Sequence, residues 1–401
     1  MNAKLVEDIE KGSKMALVKK NIINYYIHNG SSTIPELSKV LDLSVPTVTK
    51  VIAEMCEEGY LIDYGKLETT GGRHPNLYGL NPDAGFFVGV DIRQTSVNLG
   101  IINSKGEVVD MATEVPFEKD NSPESLDKLC KIIINFIDKQ TVDKTKIMNV
   151  NVNISGRVNP DSGYSYSLFF FDEKPLADLI AEKIGYHVTI DNDTRAMAYG
   201  EYLSGVVQGE QNILFVNISW GLAIGIIIDG RVYSGKSGFA GEFGHVKAFD
   251  NELICHCGKK GCLETEASGS AMHRRLLEEI SKGSNSLLSK KVKDGKPIDM
   301  KAMLDAIRHE DVLCIEIIEE IGLKLGQNIA SLINLFNPEV VVVGGSLSLA
   351  GDYLLAPIKT AVRKYSLNLV NRDSAIVLSK LGEKAGVMGA CLLARTRLME
   401  M

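Results

Sequence analysis

The chain has 401 residues, 45% apolar and 24% charged, with 44 Lys and Arg against 51 Asp and Glu and a net charge of −7. That composition supports two or three packed domains, excludes disordered, collagenous and coiled-coil chains, and excludes a nucleic-acid-binding polycation, so any DNA contact has to be local. The odd set of seven cysteines, the charged opening MNAKLVEDIEKGSK and an apolar stretch (Ile213 to Ile228) broken by Asn217, Ser219, Gly221 and Gly225 argue against secretion and membrane insertion, so a cytoplasmic protein is expected.

In chain order, Leu17, Ile22, Ile23, Tyr26 and Ile27 fall at helical spacing and predict a helix over 14–29, stopped by Gly30. Thr33 is placed to cap a second helix with Pro35 and Glu36 in its first turn, and Ser44 to cap a third that ends at Gly59. Leu37, Val40, Leu41, Val48, Ile52 and Met55 are expected to form their shared apolar face. A tight helix-turn-helix after a leading helix is the arrangement that lays a recognition helix in a DNA major groove. Leu61 to Leu80 then reads as a two-stranded wing with Gly71, Gly72 and Arg73 at its tip. Residues 11–50 carry six lysines against Glu36 and Asp42, a local surplus of four positive charges. Ser44, Thr47, Thr49 and Lys50 are the expected groove-facing residues, with Arg73 and His74 on phosphate or the minor groove. The rival reading is a three-helix protein-docking module whose lysines only solvate a face.

From Gly85 the pattern changes to strands: FFVGVDI, VNLGIIN and VVDMATEVP form an antiparallel meander. A helix at 123–140, a strand at 147–154, a helix at 175–184 and a strand at 187–190 complete an α/β lobe. A second meander over 212–235, later helices and the strand VVVVGG repeat this order, which predicts two lobes with a cleft between them. The polar stretch 281–298 reads as a surface loop with an amphipathic turn. The expected domains are 1–82 and 83–401, the latter split into lobe one, about 83–195 with the C-terminal end, and lobe two, about 196–380.

His245, Cys255, Cys257 and Cys262 offer one imidazole and three thiolates, the donor types and the number that close a tetrahedral structural zinc site, and Gly258 and Gly261 let the loop fold around them. His256 is the alternative ligand to His245; wedged between two of the cysteines, it reads as an exposed bystander. A closed site of this kind stabilises a loop and does no catalysis.

GEFGH at 241–245, CHCGKKGCLE at 255–264 and DNDTRAMAYGE at 191–201 resemble the ROK family of repressors, open reading frames and sugar kinases, and the leading helix-turn-helix resembles its repressor branch. ISGRV at 154–158, NPEVVVVGG at 337–345 and GVMGA at 386–390 extend the resemblance over nearly the whole chain. It implies an α/β fold in which a winged helix-turn-helix precedes a two-lobed, actin-like ATPase domain that holds a sugar in its cleft. By motif, Gly156, Asn192, Asp193, Glu242, His245 and Glu264 are the implied sugar contacts, suited to polyols because carboxylates accept from hydroxyl pairs and an Asn both donates and accepts.

Asp193 stands where the family's kinases keep their general base. The phosphate-cradling glycines of those kinases are missing: the first hairpin reads Asp91-Ile92-Arg93-Gln94-Thr95, and the second phosphate loop carries Trp220 and Leu222 between Ser219 and Gly225. The resemblance therefore implies a non-enzymatic, sugar-responsive repressor, released from operator DNA by a sugar, acting as a homodimer or dimer of dimers with zinc as its cofactor. The alternatives are an ATP-dependent sugar kinase with an appended DNA-binding domain, and a DNA-binding architectural protein whose second domain only dimerises. Arg195, which follows the Asn-Asp pair, is expected to pair with a neighbouring acid or with a charged group on the effector.

Overall fold

The computed structural model describes residues 13–66 and 75–400. Arg73 and His74, expected at the wing tip, lie outside the described residues. At the N-terminal end stand α1 (Lys14–Asn29), β1 (Ser32–Thr33), α2 (Ile34–Leu41) and α3 (Val45–Glu57). Helix α2 starts where the side chains require it. The Thr33 hydroxyl accepts from the Glu36 N–H while the Glu36 carboxylate accepts from the Thr33 N–H at 2.8 Å, a reciprocal capping box that also lowers the Glu36 pKa. Ser44 caps α3 by a one-way bond, its hydroxyl accepting from the Thr47 N–H. Between the two helices Asp42 takes a left-handed φ of 52°, which turns the chain within three residues.

Leu37, Val48, Val51, Ile52 and Met55 pack with Ile22, Ile23 and Tyr26 in the core of this segment. Two expected core residues lie outside it: Leu17 is 43% exposed and Val40 59%. Lys19 is buried on the inner face of α1, its ammonium 2.7 Å from the Glu58 carboxylate, and Ser38 takes the inner position on α2 by donating to the Leu43 carbonyl, which turns Val40 outward. Lys19 is thus withdrawn from the basic surface. Strands β2 (Leu61–Lys66) and β3 (Asn76–Leu80) form the expected hairpin, but β1 adds to β3, so the wing sheet has three strands.

Next come β4 (Phe86–Ile92), β5 (Ser96–Asn103), β6 (Val108–Pro116), α4 (Pro123–Asp138), β7 (Ile147–Ile154), β8 (Val158–Asn159), β9 (Tyr164–Ser165), α5 (Leu176–Ile184), β10 (Val188–Asn192) and α6 (Asp193–Ser204). The sheet order is β10-β7-β4-β5-β6, antiparallel through the meander and parallel where the helices cross over. Beyond α6 lie β11 (Ile213–Ile218), β12 (Leu222–Ile228), β13 (Arg231–Val232), α7 (Gly269–Ser281), α8 (Ser289–Lys293), α9 (Met300–Arg308) and α10 (Val312–Phe336). β14 (Val340–Gly344), α11 (Asp352–Tyr365), α12 (Asn368–Asp373), β15 (Ala375–Leu378) and α13 (Ala385–Glu400) complete the chain. The second sheet runs β13-β12-β11-β14-β15, the order of the first sheet repeated element for element.

The chain divides into two compact units, Met1–Asp193 with Ala390–Met401, and Thr194–Gly389. The helix-turn-helix falls in the first of these. Ile23, Ile27, Tyr60 and Leu80 meet Phe87 and Arg395 of the following lobe around one small cavity of about 20 Å³. Stretch 281–298, expected as a surface loop, contains α8 and buries Leu288 and Ile298 in the core of the second unit. Those two side chains are too far apart in sequence to show a period, so only the packing reveals them.

Candidate functional site

In the first unit β4, β7 and β10 run parallel, so their carboxyl ends lie side by side, the edge at which open α/β sheets hold ligands. Register aligns Asp91, Asn153 and Asp191 on neighbouring strands, and Asn192 with Ile154. The turn after β7 is tied to the start of α6: Ser155 Oγ donates to Asp193 Oδ2 at 2.6 Å, and Asn192 Nδ2 donates to the Gly156 carbonyl at 2.9 Å. Gly156 has a φ of 91°, and a Cβ there would lie 2.4 Å from Ser167 Oγ, so the turn admits no side chain. Gly156, Asn192 and Asp193 therefore form one hydrogen-bonded group.

Sequence reasoning left out of this site the groups that set its charge. Burial, and then the nearby Asp193, pushes the Asp91 carboxyl up to about 6, while burial lowers Lys119, which feels both acids. Behind them β7 carries Asn149, Asn151 and Asn153, none exposed: Asn149 donates to the Ala394 carbonyl of α13, Asn151 to Asn153, and Asn153 to Asp91. Polar residues at every second position of a buried strand were the available signal. Because the folded pKa of Asp91 is above its ordinary value, the native state binds the extra proton, and this contribution to stability is complete below pH 4 and lost as pH rises through 6. Asp91→Asn is expected to stabilise the chain at pH 8 by roughly 1–3 kcal/mol and to flatten the slope between pH 4 and 6, read by urea unfolding at each pH. An unchanged slope would show that Asp91 does not carry the linkage.

In the second unit the GEFGH turn lies directly against β12. A Cβ at Gly241 would sit 2.1 Å from the Ile224 carbonyl and one at Gly244 2.3 Å from that of Leu222, while Phe243 is buried as the anchor. This turn carries Glu242 and His245. The ligand atoms of His245, Cys255, Cys257 and Cys262 all lie within 4.8 Å of one another and could hold a metal ion. Bonds of about 2.3 Å to sulfur and about 2.0 Å to nitrogen, meeting at a tetrahedral angle, require separations of about 3.8 Å between sulfurs and about 3.5 Å from sulfur to nitrogen. Cys257 Sγ is 3.6 Å from Cys262 Sγ, and Cys255 Sγ is 3.5 Å from His245 Nδ1. The donor set fits. The other ring nitrogen of His245 faces Glu242 at 3.7 Å, so one imidazole joins the cysteine cluster to the carboxylate.

His256 is exposed, 3.8 Å from Cys255 Sγ, and its Nδ1 lies 2.9 Å from Glu264 Oε1, so a second grouping of Cys255, His256 and Glu264 is also possible. Glu264 itself is buried. Its Oε2 accepts from the Leu222 N–H at 2.9 Å, while Oε1 faces both His256 Nδ1 and the Cys255 thiol, the latter at 3.9 Å. Arg195 is buried and donates to the Gly238 carbonyl at 2.6 Å.

At the position of the second phosphate loop, the N-terminal amides of α7 are consumed internally. The Gly269 N–H donates to the Ser219 carbonyl and the Ser270 N–H to that of Trp220, while Ser268 caps Ala271. A helix N-terminus is a ready anion site only while those donors are available. Trp220 projects, half exposed, beside the His273 ring at 5.4 Å.

At the other end of the molecule Ser44, Thr47, Thr49 and Lys50 are all exposed over the first turns of α3. Ser44 and Thr47 share a 2.7 Å hydroxyl contact and Thr49 bonds back to Val45, which fixes the rotamers of these residues. Among the described residues, Lys50 has a single ion-pair contact, with Glu54 at 4.0 Å.

The winged helix-turn-helix DNA-binding pattern matches residues 16–62, and the ROK family pattern matches residues 87–397. The chain belongs to the ROK family. It is similar to the xylose repressor of Caldicellulosiruptor bescii, 28% identical over 97% of this chain and 96% of that protein. It is also similar to the glucokinase of Halalkalibacterium halodurans, 30% identical over 77% of this chain and 95% of that one. Among solved structures a ROK family transcriptional regulator, a homologue of the E. coli MLC protein, superposes with a TM-score of 0.81, 27% identical and covering 96% of each chain. The fold expected from the sequence, a winged helix-turn-helix followed by the two-lobed ROK domain, is the fold observed. No helix among the described residues is long and apolar enough to cross a membrane.

Proposed function

We propose that this ROK protein is a sugar-responsive transcriptional regulator: a cytoplasmic repressor of carbohydrate-utilisation genes that leaves its operator when a sugar binds. One observation carries the reading. The repressor relatives match over 96–97% of this chain and 96% of their own length, whereas the glucokinase matches over 95% of its own length but only 77% of this chain. In this reading Ser44, Thr47, Thr49 and Lys50 meet the DNA, and Arg73 joins them from the wing. Gly156, Asn192, Asp193, Glu242, His245 and Glu264 read the sugar hydroxyls. The metal is zinc, held by His245, Cys255, Cys257 and Cys262; it fixes the loop that carries Glu264 and, through the His245 ring, the position of Glu242. Two copies bind a two-fold operator, since one helix-turn-helix reads too few base pairs for useful specificity. The whole reading is tested by operator retardation with and without sugars: a chain that binds no DNA, or whose DNA complex is indifferent to every sugar, is not this regulator.

Kinase activity is the second reading, favoured by Asp193 with its Ser155 partner and by the glucokinase relatives. Against it stand Arg93 and Gln94 in place of the phosphate glycines, and the consumed amides at the start of α7. ATP consumption with glucose, xylose or N-acetylglucosamine is expected to stay at background in a coupled assay. Turnover that disappears in Asp193→Asn would restore the kinase.

A further inference from the structure

The loop between β9 and α5 displays more aromatic surface than a site for one sugar ring uses. Tyr164, Tyr166, Phe169 and Phe170, with Asp172 and Lys174 on the same wall, line an open cavity of about 250 Å³, just under the usual size of small-molecule sites. Phe170 is 56% exposed and Tyr166 52%, and large rings left in water are commonly binding surface. The Tyr164 and Tyr166 rings stand 6.5 Å apart and tilted by 32°, while Phe169 meets Phe171 edge-on at 6.4 Å.

The loop is held in place. Tyr164 donates its hydroxyl to the Glu173 carbonyl, the Phe170 N–H donates to Asn121, the Tyr166 N–H donates to the Arg157 carbonyl, and the Arg157 N–H returns a bond to Ser167 Oγ, each at 2.9 Å. Phe169 adopts a left-handed φ of 56°, a conformation that an aromatic residue keeps only when its surroundings impose it. That twist sends Phe169 into the core and leaves Phe170 outside. The rings are thus preorganised for a ligand.

The same loop is continuous with the sugar-reading turn. Ser167 abuts Gly156, whose carbonyl holds Asn192, and the neighbouring Ser155 holds Asp193. Hydroxyls need the Asn and Asp; the face of a second ring needs aromatic carbon, with tyrosine hydroxyls and charged residues at the rim for its polar edge. We propose that the effector is a glycoside, whose first sugar is read at Asn192 and Asp193 and whose second ring, a further pyranose or an aryl group, lies in the aromatic cavity. The proposal rests on the sugar-effector reading above and narrows it to a ligand class.

The test is calorimetric titration of the full chain with D-glucose and D-xylose, their methyl glycosides, cellobiose, maltose and xylobiose, and the phenyl glycosides of glucose and xylose. At least one two-ring ligand is expected to bind about tenfold more tightly than the matching methyl glycoside, as one added ring contact warrants. Phe170→Ala and Tyr166→Ala are each expected to remove that advantage. A gain with the disaccharides identifies the second ring as a sugar; a gain with the phenyl glycosides alone identifies it as aryl. Single sugars that bind as tightly as every two-ring ligand overturn the proposal and leave the sugar-effector reading standing, as does a gain that survives both substitutions. Substitutions that change only the association state of the chain in sedimentation make the loop a protein contact and also overturn it. If nothing in the panel binds, the sugar-effector reading falls, and this proposal with it.

Discussion

Stripping the metal from the His245, Cys255, Cys257 and Cys262 cluster is expected to give the largest loss of stability available to a single treatment. Carefully purified protein should contain one zinc per chain by elemental analysis. The reason is chemical: four ligand atoms within 4.8 Å of one another, one imidazole and three thiols, offer a closed tetrahedral set that exists only in the folded chain, so the binding free energy adds to folding. With free zinc a thousandfold above Kd, binding contributes about 4 kcal/mol to the folded state, which a chelator would remove. Cys257→Ser should lose the metal and lower the melting temperature, and its sugar response should weaken as well, because the loop carrying Glu264 is no longer fixed. His256→Ala should retain the metal, since the exposed His256 ring is not needed to complete the cluster. Protein that holds no stoichiometric metal, or a Cys257→Ser chain with unchanged melting and response, would refute the assignment.

The second large effect separates DNA binding from its control. Lys50→Ala removes an exposed cation at the start of the recognition helix, so operator affinity is expected to fall by roughly 1–3 kcal/mol, with a shallower salt dependence and sugar binding intact. Glu242→Ala should do the converse: the operator complex forms normally, and sugar no longer dissolves it. The logic is that of linkage, since an effector shifts a conformational equilibrium only by its differential affinity for the two states. Both variants can be read in one fluorescence-anisotropy titration of labelled operator at several salt concentrations, with and without sugar. Normal release by Glu242→Ala would place the sugar contact elsewhere, and operator binding by a single chain would remove the two-fold arrangement.

Local chemistry made much of this protein legible in its sequence. Capping residues Thr33 and Ser44 announced α2 and α3, alternating apolar runs announced the two meanders, and the crowding of Cys255, Cys257 and Cys262 near His245 announced a cluster that could hold a metal ion, because each of these signals operates within a few residues. What packing chooses between distant segments could not be read there. Nothing near Lys19 in sequence indicates that Glu58 will draw it inward, and nothing near Leu288 or Ile298 indicates a core position. Nor do residues 91 and 193, about a hundred positions apart, disclose that the parallel register of β4, β7 and β10 brings their carboxyls close enough to raise one pKa. Three consecutive phenylalanines stand at 169–171, yet only the left-handed Phe169 shows which ring is buried and which is offered to a ligand. Short-range hydrogen bonds and periodicity are written along the chain; electrostatic coupling and burial depend on distance in space, which only the fold supplies.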